Sequence, residues 1–210
     1  MILCHHVAPQ VAYTKGVQIP IFPLNTVLFP GGPLPLRIFE PRYIDMVSRC
    51  MKADSPFGVL LIRDGNESGQ ATTHHVGTLA RICDFYQGSD GLLGVTAIGE
   101  QRFRLQSSER QHDGLNIGTV ELIEPEAPLK LPDEYENLQQ ILTNVMDDLG
   151  RLYEAQERDF DDAVWVTYRL LEILPIDLEK KQLSLESSDT VARLKLVGEL
   201  LDSVRNVTNH

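Results

Sequence analysis

Cations are scarce in this 210-residue chain: Lys and Arg number 19 against 30 Asp and Glu, for a formal net charge of −11. A protein surface that grips a phosphate backbone needs clustered cations to displace counterions, so a nucleic-acid partner is disfavoured. Cysteine is scarce as well. Cys4, Cys50 and Cys83 are the only ones, widely spaced and without a C-x-x-C pair, which argues against a disulfide framework and against a thiolate zinc cage. Long hydrophobic runs are missing: no stretch approaches the ~20 apolar residues of a membrane span. The start, MILCHHVAPQ, lacks a basic segment followed by a sustained apolar one. Together these absences predict a cytoplasmic protein with no membrane partner. The usual catalytic signatures are missing too, since the chain has no G-x-x-x-x-G-K-[ST] phosphate loop, no G-x-S-x-G elbow and no H-E-x-x-H pair. The expectation is therefore no catalytic residue, no cofactor and no resident metal.

What the chain does have is periodicity that changes once. Residues 1–18 show no clean period and read as a flexible tail, a more economical reading of Cys4, His5 and His6 than a metal site. Over 19–127, β-type runs alternate with turn signals: IPIF, TVLF, LPLRIF, FGVLLI, VGTLARICDFY, GLLGVTAIG, QRFRLQ and NIGTVELI. That spacing suggests a small barrel or sandwich. GLLGVTAIG and QRFRLQ read as a hairpin broken near Gly99, with Phe103 and Leu105 on one face and Arg102 and Arg104 on the other. One helix interrupts the strands. It starts at Pro41, a residue suited to the first helical position, and carries Tyr43, Val47, Cys50 and Met51 at helical spacing.

Near EPEAPLKLPDEY the period switches to about 3.6, and 128–210 reads as a helical bundle. Leu138, Leu142, Val145, Leu149 and Leu152 form the seam of a helix over 133–153. DDAVWVTYRLLEIL, apolar nearly all round, belongs at the bundle centre and ends at Pro175. Ser188 or Asp189 caps a last helix with the stripe Val191, Leu194, Val197, Leu201 and Val204. The acidic cluster Glu157, Asp159, Asp161 and Asp162 reads as a helix start, and His74 and His75 as solvated loop residues.

One string is more specific than these patterns. Pro23, Leu24, then TVLFPG over 26–31 and LPLRIFEPRY over 34–43, resembles the N-terminal domain of the ATP-dependent Lon proteases, and its stand-alone members above all. Further matching residues are Phe57-Gly58-Val59, VGTLA over 76–80, Gly99 with Arg102-Phe103-Arg104, Leu174-Pro175 and KKQL over 180–183, so the resemblance covers roughly 19–205. It implies an α+β fold: a PUA-like β pseudo-barrel with one inserted helix, followed by a C-terminal helical bundle. It also implies a domain that recognises unfolded or tagged proteins. The chain ends after the bundle, without the family's Walker-type ATPase and Ser-Lys peptidase modules, so the resemblance implies a non-catalytic polypeptide binder, an adaptor or regulator in protein quality control. Cereblon, a relative that uses a related domain in a ubiquitin-ligase receptor, also points to binding. RNA binding, suggested by the PUA-like fold alone, and an uncharacterised hydrolase using His74, His75 or His112 are the alternatives. Candidate peptide-binding residues are Arg37, Phe39, Glu40, Arg42 and Tyr43, with strand addition at a barrel edge as one mode. The competing reading has Phe39, Pro41 and Tyr43 pinning the helix to the barrel.

Overall fold

The computed structural model describes residues 16–208 except 68, 70, 89, 90, 150–152 and 154–157, and only the main chain of 203–208. The chain divides into two compact units, Met1–Pro125 and Glu126–His210. No helix among the described residues is long and apolar enough to cross a membrane.

The first unit is a seven-stranded sheet. Its elements are β1 (Val17–Leu24), β2 (Pro33–Ile38), α1 (Pro41–Ala53), β3 (Phe57–Gly65), β4 (Ala71–Thr73), β5 (Val76–Gln87), β6 (Leu93–Arg110) and β7 (Asn116–Leu122). The strand order β1-β7-β6-β5-β3 closes on itself because β1 also pairs with β3, in parallel, from Ile21 opposite Gly58 to Leu24 opposite Leu61. β2 hangs off β6 and β4 off β3. The result is the pseudo-barrel that the resemblance implied. Alternation along each strand feeds two cores. Ile19 and Ile21 of β1 join Leu60, Leu79, Phe103 and Val120, whereas Phe22 and Leu24 join a larger cluster with Val59, Ala80, Val95, Ala97 and the inner face of α1.

Two strand expectations are corrected. GLLGVTAIG and QRFRLQ are one 18-residue strand, β6. The break near Gly99 is a β-bulge: Ala80 pairs with Gly99 but Thr78 with Arg102, so β6 gains a residue and changes phase there. Val95 and Ala97 face the larger core before the bulge, and Phe103 faces the smaller one after it. TVLF is not a strand. Val27, Leu28 and Phe29 are buried consecutively rather than alternately, and the Thr78 hydroxyl donates to the Leu28 carbonyl at 2.6 Å. A turn follows directly, with Gly32 N–H donating to the Phe29 carbonyl at 2.9 Å, Pro30 setting the first corner and Gly31 at φ +73° the second. Gly31 donates to the Gly99 carbonyl and Gly99 to the Gly32 carbonyl, at 2.7 and 2.8 Å. A Cβ on Gly99 would lie 2.2 Å from the Phe29 carbonyl oxygen, so Gly99 serves close backbone approach and not a turn.

α1 starts at Pro41 and buries Tyr43, Met46, Val47 and Cys50. It ends at Asp54, in the left-handed region at φ 47°, where Arg81 of β5 donates to the Asp54 carbonyl and carboxylate and also pairs with Glu100 of β6. Cys50 is packing: burial pushes its thiol up, away from the reactive thiolate.

In the second unit a 3₁₀ turn, Asp133–Tyr135, leads into α2 (Glu136–Leu149), followed by α3 (Ala163–Ile173), α4 (Leu178–Glu186) and α5 (Thr190–Thr208). The α2 seam differs from expectation, for Leu138, Leu142 and Met146 are buried and Leu149 is exposed. At 3.6 residues per turn each step of four advances about 40°, so the buried line runs to the Met146 side of the expected seam, and Leu149 is the last residue of the helix. Leu152 lies outside the described residues. α3 is buried nearly all round, as expected of a central helix. On α5, Leu194, Val197 and Leu201 are buried but Val191 is exposed, and the side chain of Val204 lies outside the described residues.

The helical unit is organised by a buried ion pair that the apolar pattern concealed. Arg193 of α5 meets Glu126 with both guanidinium nitrogens, at 3.2 and 2.6 Å, and the two side chains are 2% and 6% exposed. The Tyr168 and Thr190 hydroxyls also donate to the Glu126 carboxylate, and Arg193 stacks over the Tyr168 ring. Burial by itself raises the Glu126 carboxyl, yet the hydrogen bonds from Arg193, Tyr168 and Thr190 outweigh it and hold the group below the ordinary glutamate range. Because the folded value is the lower one, this stabilisation is complete above the ordinary glutamate range and is lost as pH falls through the lowered value. Glu126→Ala, which strands the Arg193 charge, is expected to cost about 3–5 kcal/mol at neutral pH in urea denaturation, with the gap to the parent closing in acid. A neutral-pH midpoint equal to the parent's refutes this role.

Candidate functional site

Proline decides the geometry of β2. In its antiparallel ladder with β6, Pro33 lies opposite Ile98, Pro35 opposite Thr96 and Arg37 opposite Gly94, with Leu34, Leu36 and Ile38 between them. A proline has no N–H to give, so Leu34, Leu36 and Ile38 make the ladder bonds, and the main chain of Pro33, Pro35 and Arg37 turns away from β6. The side chains sort in the same way. Leu34 and Ile38 enter the larger core, while Pro35 and Arg37 are exposed.

Across three strands, Arg37, Gly94 and Tyr86 form one row, because Gly94 pairs with Arg37 on one side and with Tyr86 on the other. The Tyr86 ring lies over Gly94: a Cβ there would sit 2.4 Å from its Cε2 and Cζ. Phe39 is the first residue after β2. Phe39 is 60% exposed and Tyr86 49%. Phe85, 58% exposed, emerges on the other side of the same end of β5. Along this row a glycine lies beneath a half-exposed aromatic ring with Arg37 beside it, and the next row of the same face holds Pro35, Thr96 and the exposed carboxylate of Asp84.

The candidate residues separate by burial. Arg37 and Phe39 are exposed, and Glu40 is half-buried. Arg42 is directed inward, donating to the carbonyls of Gly114 and Glu67 at 2.9 and 3.1 Å and pairing with Glu40 at 2.8 Å. Glu40 occupies the N-cap of α1 without a side-chain capping bond, so its carboxylate serves Arg42 and not the free helix N–H groups. Tyr43 is 4% exposed and stacks on Phe22 at a centroid distance of 3.9 Å, and burial pushes its hydroxyl up. The expectation that Phe39, Pro41 and Tyr43 all pin the helix therefore holds for Tyr43 alone, since Phe39 and Pro41 face solvent. Tyr86 and Phe85 were missed by sequence reasoning; the signal was the tail of VGTLARICDFY, where the apolar run continues past its buried portion.

Other sequence candidates have structural duties. Asp162 caps α3, accepting from Val164 N–H at 3.1 Å and Leu129 N–H at 3.0 Å, and Glu157 lies outside the described residues. His74 and His75 connect β4 to β5 with their main chain bonded to Leu61 and Leu105. Cys4, His5 and His6 lie outside the described residues.

The strand ring and the helical unit correspond to a known family. Residues 18–203 match the model of the ATP-dependent protease La (LON) substrate-binding domain. The chain belongs to this family. Lon protease 2 of Myxococcus xanthus is 27% identical over 198 residues, which are 90% of this chain and 24% of that protein. Protein cereblon of Xenopus tropicalis is 34% identical over 119 residues, 55% of this chain and 26% of cereblon. The chain thus spans about a quarter of the length of these curated relatives. Among solved structures, a Lon N-terminal domain protein from Xanthomonas campestris superposes with a TM-score of 0.71 at 35% identity, covering 86% of this chain and 96% of that one. The N-terminal domain of a Mycobacterium avium complex Lon protease shares the fold, with a TM-score of 0.61 at 16% identity and coverage of 88% and 97%.

In this member of the Lon substrate-binding family, Arg42 ties the start of α1 to the loops at Glu67 and Gly114, and the Glu67 carboxylate in turn accepts from Asn25 N–H at 2.8 Å. Arg42→Met leaves those carbonyls and Glu40 without their cation and is expected to destabilise the protein by about 2–4 kcal/mol, read as a lower urea midpoint. A midpoint within error of the parent's means that the loops hold without it.

Proposed function

We propose that this chain is a non-catalytic, polypeptide-binding protein of the Lon N-terminal type, an adaptor or regulator in cytoplasmic protein quality control. The observation that carries the reading is the match of 18–203 to a substrate-binding domain. In a protease family the substrate is polypeptide. The exposed aromatic side chains support it: Phe39, Tyr86 and Arg37 contact an extended, unfolded segment through its apolar side chains, while Glu40, Arg42 and Tyr43 act from behind by fixing α1. The net charge of −11 favours a neutral or basic segment and weighs against RNA. Free cysteines at 50 and 83 accord with a reducing compartment.

Photo-crosslinkers placed at Phe39 and Tyr86 are expected to capture a denatured test protein saturably and its native form far less. Phe39→Ala with Tyr86→Ala should weaken binding about tenfold or more with little change in thermal midpoint, since both rings are largely in water. The absence of any saturable polypeptide contact would falsify the reading. Gly94→Ala gives a finer probe. Its methyl group must displace the exposed Tyr86 ring, so affinity should fall while the fold persists, and an unchanged affinity excludes the Tyr86–Gly94 row from the contact.

A further inference from the structure

Beside the exposed aromatics runs the outer edge of β2, and an open strand edge is the usual place for an extended chain to add by main-chain hydrogen bonding. β2 pairs with β6 alone among the described strands. The edge comprises the positions whose main chain turns away from β6, namely Pro33, Pro35 and Arg37. Pro33 is buried at the first position of the strand, so the accessible positions of the edge are Pro35 and Arg37, both exposed. At Pro35, in the middle of the strand, an incoming strand finds a carbonyl but no donor, and a ring occupies the space its own carbonyl requires. The alternation is specific. Shifted by one residue, the same two prolines would face β6 and break the ladder instead.

We infer that Pro35 closes the open edge of β2 to strand addition, so that polypeptide is held here through its side chains and not through main-chain pairing. This mode rests on the polypeptide-binding reading and sharpens it. A chain captured by its backbone is held regardless of sequence, and a captor with an open edge also pairs with copies of itself. With the edge closed, what remains is selection of apolar side chains by Phe39 and Tyr86, together with protection against edge-to-edge association.

The test is Pro35→Thr in the full chain. Threonine restores the N–H, favours the strand conformation and faces Thr96 across the ladder. Two properties are measured beside the parent: sedimentation velocity over a concentration series, and binding of a fluorescent synthetic peptide of alternating Thr and Val with lysine ends. The variant is expected to gain concentration-dependent self-association, or to bind the peptide about tenfold more tightly than the parent, as one or two added main-chain bonds allow. A variant with the parent's circular dichroism spectrum that matches it in both measurements overturns the inference. If Pro35→Thr misfolds, Pro35→Ala, which also restores the N–H, carries the same comparison. Sedimentation requires no polypeptide, so a parent that captures none in the crosslinking experiment sinks the binding reading while Pro35 is still judged separately.

Discussion

Strand β6 has two edges and three partners, and the architecture of the first unit follows from how it serves them. Its early residues take β2 on one side and β5 on the other, and its late residues exchange β2 for β7. A strand can do this only by being long and by bending, and the register shifts opposite Thr78–Ala80 and at Leu105–Ser107 supply the bends. Each shift changes which side chains face inward, so one strand contributes Val95 and Ala97 to one core and Phe103 to the other. The parallel pairing of β1 with β3 then closes the ring.

Closure brings backbones nearer than side chains tolerate, and glycine is found at those points. Gly99 lies against the Phe29 carbonyl and Gly77 against that of Val59, where added Cβ atoms would fall 2.2 and 2.1 Å from oxygen. The TVLFPGG segment depends on the first of these contacts. Its irregular backbone is held by the two main-chain bonds to Gly99 and by the Thr78 hydroxyl, which lets three consecutive apolar side chains turn inward without a strand partner.

Several charged groups inside the two units fix junctions that apolar packing leaves loose. Arg42 spans the loops around the start of α1, and Arg81 clamps its end. In the helical unit, Arg193 joins α5 to Glu126 and to Thr167 of α3. A second internal pair, Arg169 with Glu172 at 3.1 Å, lies on α3, where burial pushes the arginine down and the carboxylate up. Hydrophobic contact is nondirectional, whereas a guanidinium must meet its acceptors in the plane of its fork, so these groups select one arrangement among many compact ones.

The sequence by itself determined the family, the switch from strand period to helix period and the start of α1 at Pro41. Those features are local: a proline ring or an alternating pattern acts over a few residues and leaves its mark there. Only the tertiary structure decided that GLLGVTAIG and QRFRLQ are one strand, that TVLF is none, and that Arg42 and Tyr43 turn inward while Phe39 and Tyr86 are exposed. A bulge and a hairpin turn look alike along the chain, since both appear as a glycine interrupting an alternation, and they differ only in the partner that lies opposite. Whether an aromatic is core or contact surface likewise depends on what other strands bring against it. That information resides in pairings between residues such as Arg37, Gly94 and Tyr86, which no local pattern records.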